Sequence, residues 1–358
     1  YEGCSKYKAF TSAPIELRNK CFASCISQIR GQIYRTQFFM AVYGKLLAAG
    51  LKPLVLKGLV CRSLYGNLAD HRPSTDEDIY IKREEFDTCR RILEQSGYKM
   101  EKLDLTGDNL SKWPVITFYH DSGPKIEVHF CLFEQINDIR SRLNSFFDDP
   151  CEDCISLKIN GLQVYSMNPT RFYLYLYLHF YKHFITFGVG IRQLLDLLLY
   201  GEQYYRDIDW KMVEDSIKSL SADKLYADLL AIGAKYLGSN LKTSLSGSSD
   251  SLLLEDIINA GIFGKASKER LIGGKMAIAA QNSGRFRVID LLLPKKETLM
   301  NSYKLTKINR LQQLNLWMRR MFRFIRCNYN LVLLYRSIKL GRRRMRLLKS
   351  YKVYNCED

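Results

Sequence analysis

Asp76-Glu77-Asp78 runs straight into the apolar Ile79-Tyr80-Ile81. That junction is the strongest constraint on the fold. Alternate residues of a β-strand share a face, so a strand read over Ile79–Ile81 sets Asp76 and Asp78 side by side at its mouth and turns Glu77 to the other side. Two carboxylates together repel each other and cost free energy unless a cation joins them. A hard divalent ion with oxygen ligands is the natural partner, Mg²⁺ first and Mn²⁺ as the alternative.

A second apolar strand, Leu54–Leu56, lies upstream and ends in Lys57-Gly58. Leu59–Tyr65 reads as a short helix after that turn, and residues 66–74, with Asp70, His71, Arg72 and Pro73, read as a loop. A long helix is expected over residues 16–49, where Ile26, Ile29, Ile33, Phe38, Phe39, Val42 and Leu46 fall at helical spacing and Gly50 supplies a stop. Glu84–Ser96 is amphipathic and ends at Gly97. Tyr98–Leu103 is a weaker strand. Val115–His120 and Lys125–Phe130 flank Asp121-Ser122-Gly123-Pro124 and read as a hairpin. After Phe130 the pattern turns helical, with helices expected over residues 170–184, 191–200, 210–220, 224–237 and 251–260. The fold class is therefore α+β: an N-terminal helical segment (1–52), a small mixed β-sheet core (53–165), a helical domain (166–298) and a basic helical tail (299–358).

A third carboxylate stands in Lys125-Ile126-Glu127-Val128-His129. Glu127 interrupts a strand otherwise rich in apolar residues, and His129 shares its face. A metal partner would explain Glu127, and an edge-strand position would also hold it. Asp-x-Asp alone also suits a solvated turn, and Lys57 alone suits a surface lysine. On the helices, His179 and His183 are four residues apart, as are Arg192 and Asp196. A buried polar network between two helices and the lining of a nucleotide or acceptor pocket both account for them. Two histidines without further ligands make a poor zinc site.

These pieces, in this order, resemble a family. Leu56-Lys57-Gly58, Leu64-Tyr65, Arg72, Asp76-x-Asp78, Ile126-Glu127-Val128-His129, His179 with Lys182-His183, and Gly188-Val189-Gly190-Ile191-Arg192 through Asp196 are similar to the bacterial uncharacterised nucleotidyltransferases of the polymerase-β-like superfamily. The resemblance covers roughly residues 50–200. It implies Mg²⁺-dependent transfer of a nucleoside monophosphate from an NTP to an acceptor that the sequence does not identify. Asp76, Asp78 and Glu127 would be the catalytic and metal-binding set. Lys57 and Arg72 would meet nucleotide phosphates, and nucleotide contacts are also expected from Gly58, His129, His179, His183 and Arg192. Where the wider superfamily carries Gly-Ser or Gly-Gly after the first strand, this chain has Lys57-Gly58, a charge in place of a hydroxyl.

Charge is distributed unevenly. Of the net +17, residues 299–358 supply +13, from fifteen Lys or Arg against Glu357 and Asp358. That tail interleaves Leu314, Trp317, Met318, Met321, Phe322, Phe324 and Ile325 with Arg319, Arg320, Arg323 and Arg326. Docking on the core, an anionic membrane surface and RNA are its three possible partners. No apolar run is long enough to span a bilayer. The ten cysteines are scattered, with one lone Cys151-x-x-Cys154, which suits reduced thiols. No secretory signal opens the sequence, which begins at Tyr1. A cytoplasmic protein, peripheral at the inner membrane face if the tail binds lipid, is the expectation. A non-catalytic nucleotide- or polyanion-binding module is the alternative function.

Overall fold

The computed structural model describes residues 6–103, 113–133, 143–186, 188–249, 251–264, 267–283, 293–303, 305, 307–326 and 331–351. Lys304 and Lys352 of the basic run lie outside these residues, as do the side chains of Arg323, Phe324, Ile325, Arg326, Leu331 and Leu334. The chain forms two compact units, Tyr1–Phe172 and Tyr173–Asp358.

The first unit opens with a single helical turn, Lys8–Thr11, and then helix α1, Ile15–Ala48. Gly50 ends α1 as the sequence expects. At φ +84° it adopts a left-handed conformation that suits glycine, so its N–H reaches the Leu47 carbonyl and the Leu51 N–H reaches Leu46. Strand β1 is Leu54–Val55, helix α2 is Gly58–Ser63, and a 3-10 turn covers Gly66–His71, where a loop was expected. Strand β2 is Asp76–Tyr80. It starts earlier than expected, so both aspartates lie within the strand. A 3-10 turn, Arg83–Glu85, leads into α3, Phe86–Gln95, which Gly97 closes in the manner of Gly50. Strands β3 (Lys99–Met100), β4 (Val115–Tyr119) and β5 (Lys125–His129) follow. The β4–β5 hairpin forms where Ser122-Gly123-Pro124 marks it.

Helix does not take over directly after Phe130. A second hairpin, β6 (Ile155–Ile159) and β7 (Leu162–Ser166), extends the sheet. Its Asn160-Gly161 turn has both residues at positive φ, a two-residue turn matched to strand twist. The sequence reading passed over this Asn-Gly signal. The seven strands run in the order β3-β4-β5-β2-β1-β7-β6. The β2–β5 and β1–β7 pairs are parallel and the others antiparallel.

Register sorts the side chains of the central strands onto two faces. Glu77 and Ile79 of β2, Ile126 and Val128 of β5, and Ile116 and Phe118 of β4 alternate with Asp76, Asp78, Lys125, Glu127 and Thr117. The first set is fully or almost fully buried. Tyr43 of α1 ties the sheet to that helix, its hydroxyl donating to the Pro53 carbonyl at 2.6 Å and accepting the Tyr165 N–H at 3.1 Å.

Helix α4 (Pro169–Phe184) begins in the first unit and continues in the second. The second unit adds α5 (Ile191–Gln203), α6 (Trp210–Ser219), α7 (Asp223–Tyr236), α8 (Ser251–Asn259), α9 (Lys268–Ser283), α10 (Lys296–Ser302), α11 (Arg310–Arg326) and α12 (Leu331–Ser350). Its core is aromatic: the Tyr173 and Tyr226 hydroxyls lie 3.1 Å apart and the Tyr177 hydroxyl donates to the Ala222 carbonyl. Part of the basic tail packs into the core of this unit. Helix α12 packs on α9, burying Leu348 and Arg344, whose guanidinium shares the Asp256 carboxylate with Arg270. Among the described residues, no helix is long and apolar enough to cross a membrane.

Candidate active site

Parallel pairing of β2 and β5 builds the site. The register sets Asp76 beside Lys125, Asp78 beside Glu127 and Tyr80 beside His129. Every second residue of both strands therefore contributes a titratable group or a tyrosine to one face. One ligand atom from each of Asp78, Glu127 and His129 lies within 4.8 Å of the other two. The His129 Nε2 is 3.3 Å from Asp78 Oδ1 and 3.7 Å from Glu127 Oε2. Asp76, expected beside Asp78 in the metal set, stands at the edge of this group, its Oδ2 3.6 Å from Lys125 Nζ.

Lysines supply the balancing charge. Lys57, in the turn after β1, places its Nζ 2.9 Å from Asp78 Oδ2. The Leu56 N–H donates to the Asp78 carbonyl at 3.0 Å, so β1 delivers Lys57 to this carboxylate through the sheet. Lys125 Nζ bonds Glu127 and also faces Asp76. Three carboxylates (Asp76, Asp78, Glu127) thus meet three basic groups (Lys57, Lys125, His129). The sequence reading left Lys125 out. Its signal was the same alternation that placed His129, two positions from Glu127 on one face.

The charges shift one another. Burial works to raise the Asp78 carboxyl, but Lys57 and then His129 outweigh it and hold it well below the usual carboxylate range. Burial works against a charge on His129, yet the hydrogen bonds it donates to the Asp78 and Glu127 carboxylates raise the imidazole above its ordinary value. Asp76 moves upward, through burial first and then the neighbouring Asp78 charge. Glu127 is lowered: burial opposes this, and His129 and Lys125 prevail.

These directions fix a pH dependence of stability. Asp78 stabilises the fold above its unfolded value of about 4 and loses that effect as pH falls. His129 stabilises it below about 6.5 and loses the effect as pH rises through the raised folded value. The unfolding free energy of the wild type is therefore expected to fall as pH rises above about 6.5, before the thiols titrate, and that of His129→Gln to fall less over the same range. Urea titrations at a series of pH values check this; a wild-type curve as level as the variant's would remove the imidazolium from the account.

The opposite face of β2 holds the turn. Glu77, 1% exposed, bonds the Arg62 Nη2 and accepts the Leu59 N–H at 2.9 Å, at the start of α2. A Cβ on Gly58 would stand 1.8 Å from Glu77 Oε2, so the residue after Lys57 has room for glycine alone. Arg72, expected to meet phosphate, is buried, with its Nη1 3.4 Å from the Gly58 carbonyl. The turn that presents Lys57 is thus gripped by Glu77 and Arg72.

His179, His183 and Arg192 belong to the second unit. The two imidazole Nε2 atoms face each other across one turn of α4, 3.2 Å apart. Arg192, on α5, lies over the Phe263 ring at 4.9 Å. The glycines before it are set by crowding. A Cβ on Gly190 would meet the Gly261 and Ile262 carbonyls at 2.3 Å, and one on Gly188 would meet Arg270.

Residues 11–238 match the family described as uncharacterised nucleotidyltransferase. The chain belongs to this nucleotidyltransferase family. The match takes in the whole sheet, the Lys57-Gly58 turn and the acidic face, and continues through α7. It stops short of α8 to α12, so the Asp256–Arg270–Arg344 cluster and the basic tail lie beyond it. No curated protein and no solved structure matches the chain.

Proposed function

We propose that this nucleotidyltransferase moves a nucleoside monophosphate from an NTP to an acceptor hydroxyl or related nucleophile with the help of a divalent cation, and that the family stands with the polymerase-β-like enzymes. One observation carries the reading: Asp78, Glu127 and His129 converge from adjacent parallel strands, beside a lysine delivered by the neighbouring strand. The donor set suits a divalent ion. It offers carboxylate oxygens within 4.8 Å of an imidazole whose Nδ1 is buried without a hydrogen-bond partner. Oxygen donors favour Mg²⁺, and the imidazole makes Mn²⁺ an equally good fit. Asp78 and Glu127 would hold the ion, with Asp76 and His129 flanking it. Once bound, the ion supplies positive charge to the triphosphate oxygens.

The protein's own part is positioning and charge. Lys57, released from Asp78, turns to the phosphates, while Arg72 keeps its turn in place. Asp76, the one carboxyl of the three that its surroundings push upward, takes the proton from the acceptor. The acceptor oxygen then bonds to the α-phosphorus, the bond from that phosphorus to its bridging oxygen breaks, and pyrophosphate leaves with the electron pair. A cytoplasmic location fits the free thiols of Cys151 and Cys154.

A second reading has one observation in its favour. Lys57 and Lys125 already neutralise the acidic face, as they would in a module that binds nucleotide and performs no transfer. Metal removal separates the two. With each α-labelled NTP in turn, Mg²⁺ or Mn²⁺ is expected to support pyrophosphate release, and EDTA to lower it by about a hundredfold or more. Nucleotide binding with no pyrophosphate release, metal present, would leave the second reading standing.

A further inference from the structure

Helix α11, Arg310–Arg326, lies beyond the residues that match the family and carries an apolar stripe that no described residue covers. Leu311, Leu314, Met318, Met321 and Phe322 recur at helical spacing, so they line one side of the helix. Leu311 is 78% exposed and Phe322 70%; Leu314, Met318 and Met321 are exposed too. Away from the stripe the helix is anchored: Leu316, on the opposite side, is half-buried, and Trp317, on one flank, donates its indole N–H to the Pro294 carbonyl at 3.0 Å. The helix is therefore held by one side and presents the other. Exposed Arg310 and Arg319 fall on the two flanks of the stripe. No Asp or Glu occurs anywhere from Leu299 to Cys356.

We propose that α11 docks on an anionic lipid surface, its Leu, Met and Phe side chains entering the boundary between headgroups and acyl chains and its arginines meeting acidic headgroups. Charge complementarity selects this occupant. A second copy of the chain would bring a helix with the same positive charge. A nucleic acid would satisfy the arginines but offer aliphatic Leu and Met nothing to bury against, since a phosphate backbone rewards cations and its bases reward aromatic stacking. A lipid interface takes both halves of the pattern, apolar side chains and basic residues alike. The helix is about 25 Å long, and it meets the membrane lying flat, without spanning it. This inference stands independently of the nucleotidyl-transfer reading.

Flotation with the full chain tests it. Vesicles of phosphatidylcholine alone and with added phosphatidylglycerol are mixed with the wild type, with Leu311→Glu/Leu314→Glu/Phe322→Glu, and with Leu314→Trp. The wild type is expected to float with phosphatidylglycerol vesicles and to remain behind with phosphatidylcholine alone. The triple variant should lose about tenfold or more in bound fraction, with an unchanged circular dichroism spectrum, since all three positions are exposed. Leu314→Trp should bind at least as well as the wild type, because tryptophan favours that interface. Failure of the wild type to float, or equal flotation by the triple variant, overturns the proposal. So does tighter binding to poly(U) than to acidic vesicles that the triple variant retains, which would assign the helix to RNA.

Discussion

Asp78→Asn is expected to cut pyrophosphate release by about a thousandfold, roughly 4 kcal/mol of transition-state stabilisation. The carboxylate sits at the centre of the site, beside Glu127 in the register, 2.9 Å from Lys57 and 3.3 Å from His129. An amide keeps the shape and removes the charge. With it go the proposed ligand for the cation and the group that collects Lys57. Steady-state assays with labelled NTP and Mg²⁺ or Mn²⁺ check the loss. The circular dichroism spectrum must be followed in parallel, because the substitution also strips Lys57 and His129 of a partner and will lower stability. A folded variant within about tenfold of the wild type would take Asp78 out of the chemistry. Lys57→Met makes a useful companion, since it should weaken nucleotide binding without removing a metal ligand.

Glu77→Ala should unfold more easily by about 3–5 kcal/mol, the usual result of breaking a buried ion pair by deleting one member. Glu77 and Arg62 are each 1% exposed. Losing the carboxylate leaves a guanidinium in the interior, where the Arg62 Nε and Nη1 already lack partners. It also leaves Arg62 facing Arg35. Burial, and then the Arg62 charge, already push the Arg35 guanidinium down, and Glu77 is the group that opposes them. The Leu59 N–H loses its acceptor as well, so the turn carrying Lys57 should loosen. Urea unfolding of the single variant and of Glu77→Ala/Arg62→Met measures the effect. The double variant is expected to recover part of the loss, because it no longer buries an unpaired charge. A single-variant loss below about 1 kcal/mol would show that the pair is not what braces the turn.

Much of this site could be read without coordinates, because strand parity does the work. Once Asp76-Glu77-Asp78 is a strand, its two faces are assigned, and the same holds for Lys125 through His129. What parity cannot give is which strands become neighbours. The parallel β2–β5 pairing, which brings Asp78 beside Glu127, joins residues about fifty positions apart across a helix and the two strands β3 and β4, and only the assembled sheet selects it. The same limit hid Arg62 as the partner of Glu77. Helix ends were legible at Gly50 and Gly97, where one residue fixes the stop. The β6–β7 hairpin was missed although Asn160-Gly161 announced it, because its strands mix Lys, Ser and Gln with apolar residues and read as irregular. In the tail, the sequence showed the mixture of arginine and apolar side chains. Which of them are buried was decided by packing: Arg344 went into the interior of the second unit, while Leu311 and Phe322 stayed outside.

Strand β2 does two jobs with consecutive residues, bracing the Lys57 turn through Glu77 and presenting carboxylates through Asp76 and Asp78. That interleaving makes the segment intolerant of insertion or deletion. Adding or removing one residue between Ser74 and Ile79 would exchange inside for outside along the strand, sending an aspartate toward Arg62 and the bracing glutamate out among the acids. In relatives of this chain, length between those two positions should therefore be held fixed even where side chains drift.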